Sequence, residues 1–133
     1  MWDANKAFLH ECSSDYHMGQ LGGGKNVSEM WSHKFRGQNI VAAMLKHLIQ
    51  VQGLGTKSKN ETVVFGGTSA GGVGAIPHLD HVANFLKPYN VKVLGYFDSP
   101  LYFDLKPLHN STTGLYQRMK QAFSLFQESN SEN

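Results

Sequence analysis

Residues 62–75, Thr-Val-Val-Phe-Gly-Gly-Thr-Ser-Ala-Gly-Gly-Val-Gly-Ala, restrict the possible folds more than any other stretch of this chain. Their first half, from Thr62 to Phe65, is a short run of β-branched and aromatic residues and reads as a buried strand. The second half is rich in Gly and Ala and leads into a helical pattern. The join, Gly67-Thr68-Ser69-Ala70-Gly71, matches G-x-S-x-G at a strand-to-helix turn, the context in which that spacing marks a nucleophile elbow. So tight a turn needs almost no side chain two residues before and two after the serine. Gly67 and Gly71 meet that need, and Ala70 is barely larger. Ser69 then lifts its hydroxyl from a strand end, and the N–H of Ala70 points to where an oxyanion would form. Two other readings of the residues stay open, a glycine-rich βα turn packed on its helix and an anion cradle at a helix start.

Around this join the apolar spacing alternates between helix and strand. Ile40, Met44, Leu48 and Val51, widened by Val41, Leu45 and Ile49, predict a helix over 37–52 with Gly53 as its C-cap. Val73, Ile76, Leu79, Val82, Ala83 and Leu86 continue a second helical stripe, which Pro77 is expected to kink or restart. Residues 87–90 read as a turn and 91–97 as a second apolar strand. Leu115, Met119, Phe123 and Phe126 mark a last amphipathic helix, and Lys6 to His10 reads as a short first strand. Strand, helix, strand, helix, strand predicts an α/β fold, with about three parallel strands joined by right-handed crossovers.

The intervening segments carry weaker signals. Cys12 to Lys34 reads as a long loop on the rim that also holds Ser69. Within it, Gly19 to Lys25 fits G-x-x-x-x-G-K, but Asn26 stands where a P-loop needs Ser or Thr and no apolar strand precedes it, so a flexible loop is expected. His78 and His81 lie three apart on one helix, yet no further ligands accompany them. They are expected to face solvent, with no metal and no cofactor.

A single domain with a real core is compatible with 133 residues, 41% hydrophobic and 17% charged. The net charge of +2, from scattered Lys and Arg, gives no basic stripe for nucleic acid. No apolar run reaches the roughly 20 residues of a bilayer span. The first residues lack the apolar core of a signal peptide. Asn26, Asn60 and Asn110 nevertheless open N-glycosylation sequons in expected loops or loop edges and lean toward a secreted protein. Cys12 is the one cysteine, so no disulfide forms within the chain.

Phe65 to Ala75 resembles the serine motif of the pectin acetylesterase and Notum carboxylesterase family. Cys12-Ser13-Ser14-Asp15, then Phe35-Arg36-Gly37 opening a helix, and Val93 to Ser99 with its Asp98-Ser99 end are similar to family stretches in the same order. The resemblance spans most of residues 8–104. It implies a partial α/β-hydrolase-like parallel sheet with flanking helices and the elbow at 67–71, and a secreted enzyme. It also implies a serine carboxylic-ester hydrolase working through an acyl-enzyme on Ser69, with acetyl esters of pectin-type polysaccharide as substrate. The alternative within the family is a protein-linked fatty-acyl ester. The competing class is a catalytically incomplete relative that binds glycan or partner. A monomer is expected.

An activated serine needs a base oriented by a carboxylate. The family's acid and base lie beyond the positions matched here, so no residue inherits those roles, and 1–133 reads as part of a larger hydrolase domain. Downstream candidates are Asp80, Asp98, Asp104, His78, His81 and His109, with Asp104 and His109 the local pair to test. Asp98 follows the last strand, where it reads as an Asx cap more readily than as a catalytic acid.

Overall fold

The computed structural model describes residues 3–20, 35–56, 60–100, 103–105 and 113–127. The P-loop-like stretch from 21 onward, the sequons at Asn26 and Asn110, and His109 lie outside the described residues. Helix α1 spans Gly37–Gln50, strand β1 Thr62–Thr68, helix α2 Ala70–Leu86, strand β2 Lys92–Asp98 and helix α3 Leu115–Gln127. A single 3₁₀ turn, Lys87–Tyr89, joins α2 to β2 and closes on Asn90 in the left-handed conformation. Among the described residues no helix is long and apolar enough to cross a membrane.

Among the described residues the sheet has two parallel strands, in register from Thr62 opposite Lys92 to Thr68 opposite Asp98. A parallel pair needs a crossover, and α2 supplies it by packing on both strands. The expected third strand at Lys6 to His10 does not form. Phe8 is four-fifths exposed there, and only Leu9 of that run reaches the core. A short apolar run becomes a strand only when a neighbour accepts its ladder, and no described strand lies alongside it.

Val41, Leu45 and Ile49 of α1, with Val82 and Leu86 of α2 and Val91, form the main core, and Val63, Phe65 and Val93 cover it from one sheet face. The stripe of α1 is therefore centred on Val41, Leu45 and Ile49, and Val51 beyond it is 62% exposed. The opposite sheet face is open, with Val64, Leu94 and Tyr96 all largely exposed. α1 ends earlier than expected, with Val51 as its C-cap in place of Gly53, while Gly53 turns the chain with φ +79° and the amide of Leu54 donates to the carbonyl of Leu48.

Helix α2 runs unbroken through Pro77, which neither restarts nor ends it. Pro77 is exposed and merely has no N–H to give to the Val73 carbonyl. The buried side of α2 is Gly72, Gly74, Ala75, His78, Val82 and Leu86, whereas Ile76 faces outward. Among the described side chains of α3, Leu115, Met119 and Ala122 are half-buried. Ala122, like Tyr16 and Met18, packs on the buried Phe35, and Phe123 is exposed.

Candidate active site

β1 ends at Thr68 and α2 begins at Ala70, leaving Ser69 alone between them with φ 53° and ψ −120°. A non-glycine residue rarely adopts a positive φ, and holding one there costs about 1–3 kcal/mol. The turn is fixed by its own backbone: the Ser69 amide donates to the Asp98 carbonyl at 2.8 Å, and the Ser69 carbonyl accepts from Val73 at 3.0 Å. The Ser69 side chain is exposed and does not cap the helix it precedes. Ala70, the first residue of α2, is half-buried, with its N–H among the amides at the positive end of the helix dipole.

Close approach explains some of the glycines in this turn. A Cβ on Gly67 would overlap the carbonyl group of Gly71 and lie 2.9 Å from the Gly72 nitrogen, so β1 and the first turn of α2 touch there. Gly71 differs from the sequence expectation, because a Cβ there would meet nothing within 4 Å. The helix-side glycine that packing requires is Gly72, whose Cβ would sit 2.8 Å from Pro100 Cβ and 3.0 Å from the Gly67 carbonyl oxygen.

The candidate acids and bases have other partners. Asp98 ends β2 with its carbonyl on the Ser69 amide, while its exposed side chain accepts from the Ser99 hydroxyl at 3.1 Å. Asp104 accepts from the backbone N–H of Tyr116 at 3.0 Å and so ties down the first turn of α3. Asp80 is exposed on α2. His81 is exposed, its ring 6.3 Å from that of Phe85. His78 reverses its expected orientation and is buried at 5% exposure. Its Nε2 lies 2.6 Å from the His17 carbonyl oxygen, which can only accept, so Nε2 carries the proton. Burial foremost pushes the His78 imidazole below its ordinary value of 6.5, against the raising effect of that hydrogen bond. Among the described residues no group of three or more His, Cys, Asp or Glu could hold a metal.

Asp15 has a structural part that sequence reading left unassigned. Its carboxylate is fully buried. Oδ1 accepts from Ser13 Oγ at 2.6 Å and from the His17 amide at 3.0 Å, and Oδ2 from the Gly19 amide at 3.0 Å and the Gly37 amide at 2.8 Å. Gly37 is the first residue of α1, so Asp15 also sits at that helix's positive end. The available signal was an Asp in a Gly-punctuated loop ahead of a helix without its own capping side chain. Cys12, just before this knot, is exposed and free, and Asn60 is an exposed residue with φ +64° ahead of β1.

A parallel strand–serine–helix turn with its strained residue at the carboxyl edge of the sheet places the chain in the α/β-hydrolase class of folds, as part of one. The pectinacetylesterase family matches residues 1–132, and the chain belongs to that family. The palmitoleoyl-protein carboxylesterase Notum of Drosophila melanogaster is 30% identical over 128 residues, 94% of this chain and 19% of the relative. The human palmitoleoyl-protein carboxylesterase Notum is 32% identical over 108 residues, 79% of this chain and 20% of the relative. In three dimensions the chain is similar to the Wnt deacylase Notum from Drosophila, with a TM-score of 0.78 and 29% identity over 87% of this chain and 34% of that one. The chain thus spans about a fifth of the length of the curated relatives it matches.

Proposed function

We propose that this chain carries the nucleophile of a secreted serine carboxylic-ester hydrolase. Ser69 Oγ would attack the acyl carbon, with its proton passing to a general base. The alcohol would leave with a proton, and water would then release the acid from the acyl-serine. The Ala70 N–H would donate to the oxyanion of both tetrahedral states, and losing such a donor typically lowers kcat by ~10²–10³. The observation that carries this reading is the strained, exposed Ser69 between β1 and α2. His78 Nε2 donates to the His17 carbonyl and so is not the atom that takes the Ser69 proton.

For the substrate, the family's description favours an acetyl ester of pectin-type polysaccharide, whereas the relatives' names favour a palmitoleoyl ester on protein. A series of p-nitrophenyl esters from acetate to palmitate, run with the chain and with Ser69→Ala, separates the readings. Serine-dependent turnover falling with acyl length supports the acetyl ester, and turnover rising with length supports the fatty acyl ester. Serine-dependent turnover excludes a binding-only relative, whereas equal rates for chain and variant would support one. Secretion is supported by the exposed Asn60 of the Asn60-Glu61-Thr62 sequon. Its test is a mass shift on removal of N-glycans from the protein made in a secretory host.

A further inference from the structure

The loop from Ser13 to Gly19 is fastened at one end to α1 and along its middle to α2. Asp15 supplies the first attachment through the Gly37 amide. Two successive carbonyls supply the second. The Tyr16 oxygen rests on Gly74, where any Cβ would overlap it, and the His17 oxygen receives His78 Nε2 at 2.6 Å. Gly74 and His78 are four apart, one above the other on a single face of α2. Pointing two consecutive carbonyls at one helix requires an unusual backbone, and Ser14, Tyr16 and His17 all have φ between 53° and 60°. Such a conformation persists only where surrounding contacts over-determine it. The Asp15 carboxylate, with four donors converging on it, provides those contacts.

We propose that Asp15 is the positioning residue for Ser69: through the loop it fixes the first two turns of α2, and with them the elbow that presents the serine. This rests on Ser69 being the nucleophile. α2 is then held on three sides, by β1 at Gly67, by Pro100 at Gly72 and by the loop at Gly74. A reacting serine gains from such support, because small misplacements of a reacting group are costly in rate.

The carboxylate's bond geometry makes the test graded. In Asp15→Asn the amide oxygen can keep Gly19 and Gly37 while the amide NH₂ donates to Ser13, so only the His17 amide loses its acceptor. Asp15→Ala removes all four bonds. Amide hydrogen exchange is measured on the full chain for both variants, alongside the second-order rate of Ser69 labelling by a fluorophosphonate. Asp15→Asn is expected to speed exchange at the hydrogen-bonded amides of residues 73–76 and 78 at least tenfold, to leave the far end of α2 at residues 83–86 unchanged, and to slow labelling at least tenfold. Asp15→Glu, which keeps both oxygens, should recover part of the labelling rate. Unchanged exchange at residues 73–76 and 78 in Asp15→Asn overturns the proposal, and so does a uniform rise along α2, which means general loosening. If Asp15→Ala does not fold, the Asn variant carries the test alone. Failure of the unmodified chain to label, with the exchange pattern as expected, counts against the nucleophile and not against the loop attachment.

Discussion

The backbone N–H of Ser69 is bound to the carbonyl oxygen of Asp98 at 2.8 Å, one residue past the last pair of the β1–β2 ladder. The sheet thus hands its final hydrogen bond to the turn. Both strands then leave through a residue of positive φ, 53° at Ser69 and 52° at Ser99. What Asp98 contributes to the serine is its main chain, and its carboxylate is turned to Ser99.

Contact across this turn predicts opposite outcomes for the two glycines that flank Ser69. Gly67→Ala forces a methyl into the Gly71 carbonyl and is expected to destabilise the fold by about 2 kcal/mol or more. Gly71→Ala meets open space at a helical position and should stabilise it by about 0.5–1 kcal/mol. Urea unfolding of both variants checks this. Equal destabilisation by the two would mean that the motif's symmetry, and not the observed packing, governs the turn.

Those two glycines also mark what the sequence could convey. The local pattern located the turn, because a β-branched run followed by Gly and Ala has few ways to continue. It could not say which helix-side glycine touches a neighbour, since that depends on Pro100 arriving from a distant loop. His78 is a similar case. The expected stripe left it facing solvent, and its burial depends on a carbonyl 61 residues away. Asp15 was visible as a motif residue, while its four donors come from two segments whose meeting no spacing encodes. The unformed strand at residues 6–10 shows the converse limit, a run with strand chemistry and no described partner.

Burial of His78 predicts a stability that depends on pH. Its folded pKa lies below 6.5, so the folded state binds fewer protons than the unfolded chain. Stability should be at its plateau above 6.5 and fall as pH drops through the lowered folded value. His81 and His17 oppose protonation of His78 and Asp15 favours it, with burial the largest influence. Urea midpoints between pH 7.5 and 5 should decline, and less steeply in His78→Gln, which keeps a donor for the His17 carbonyl without titrating. Parallel declines in both proteins would remove His78 as the cause.

Asp104 ties residues 103–105 to the start of α3 through the Tyr116 amide. No acidic residue lies in the first turn of that helix, and this carboxylate brings a negative charge to it from outside. Asp104→Ala should therefore cost about 0.5–2 kcal/mol, as the loss of a cap does. Asp104→Asn, which keeps an acceptor oxygen, should cost less. Thermal melts of the two variants, with helicity followed by circular dichroism, would refute the cap if the two melted alike.

The backbone of Ser69 itself supports a prediction in which stability and reactivity part. Any residue with a Cβ is strained at φ 53° and ψ −120°, whereas glycine enters that region freely. Ser69→Ala keeps the strain and Ser69→Gly relieves it, against the roughly 0.5–1 kcal/mol that glycine's extra unfolded-state freedom removes. With strain of about 1–3 kcal/mol, the glycine variant should be the more stable by about 1 kcal/mol. Neither variant has a hydroxyl, so neither should react with a fluorophosphonate. Urea midpoints compare the stabilities directly. An alanine variant as stable as the glycine one would mean that the turn relaxes in solution, and with it the geometry that lifts the serine from the sheet.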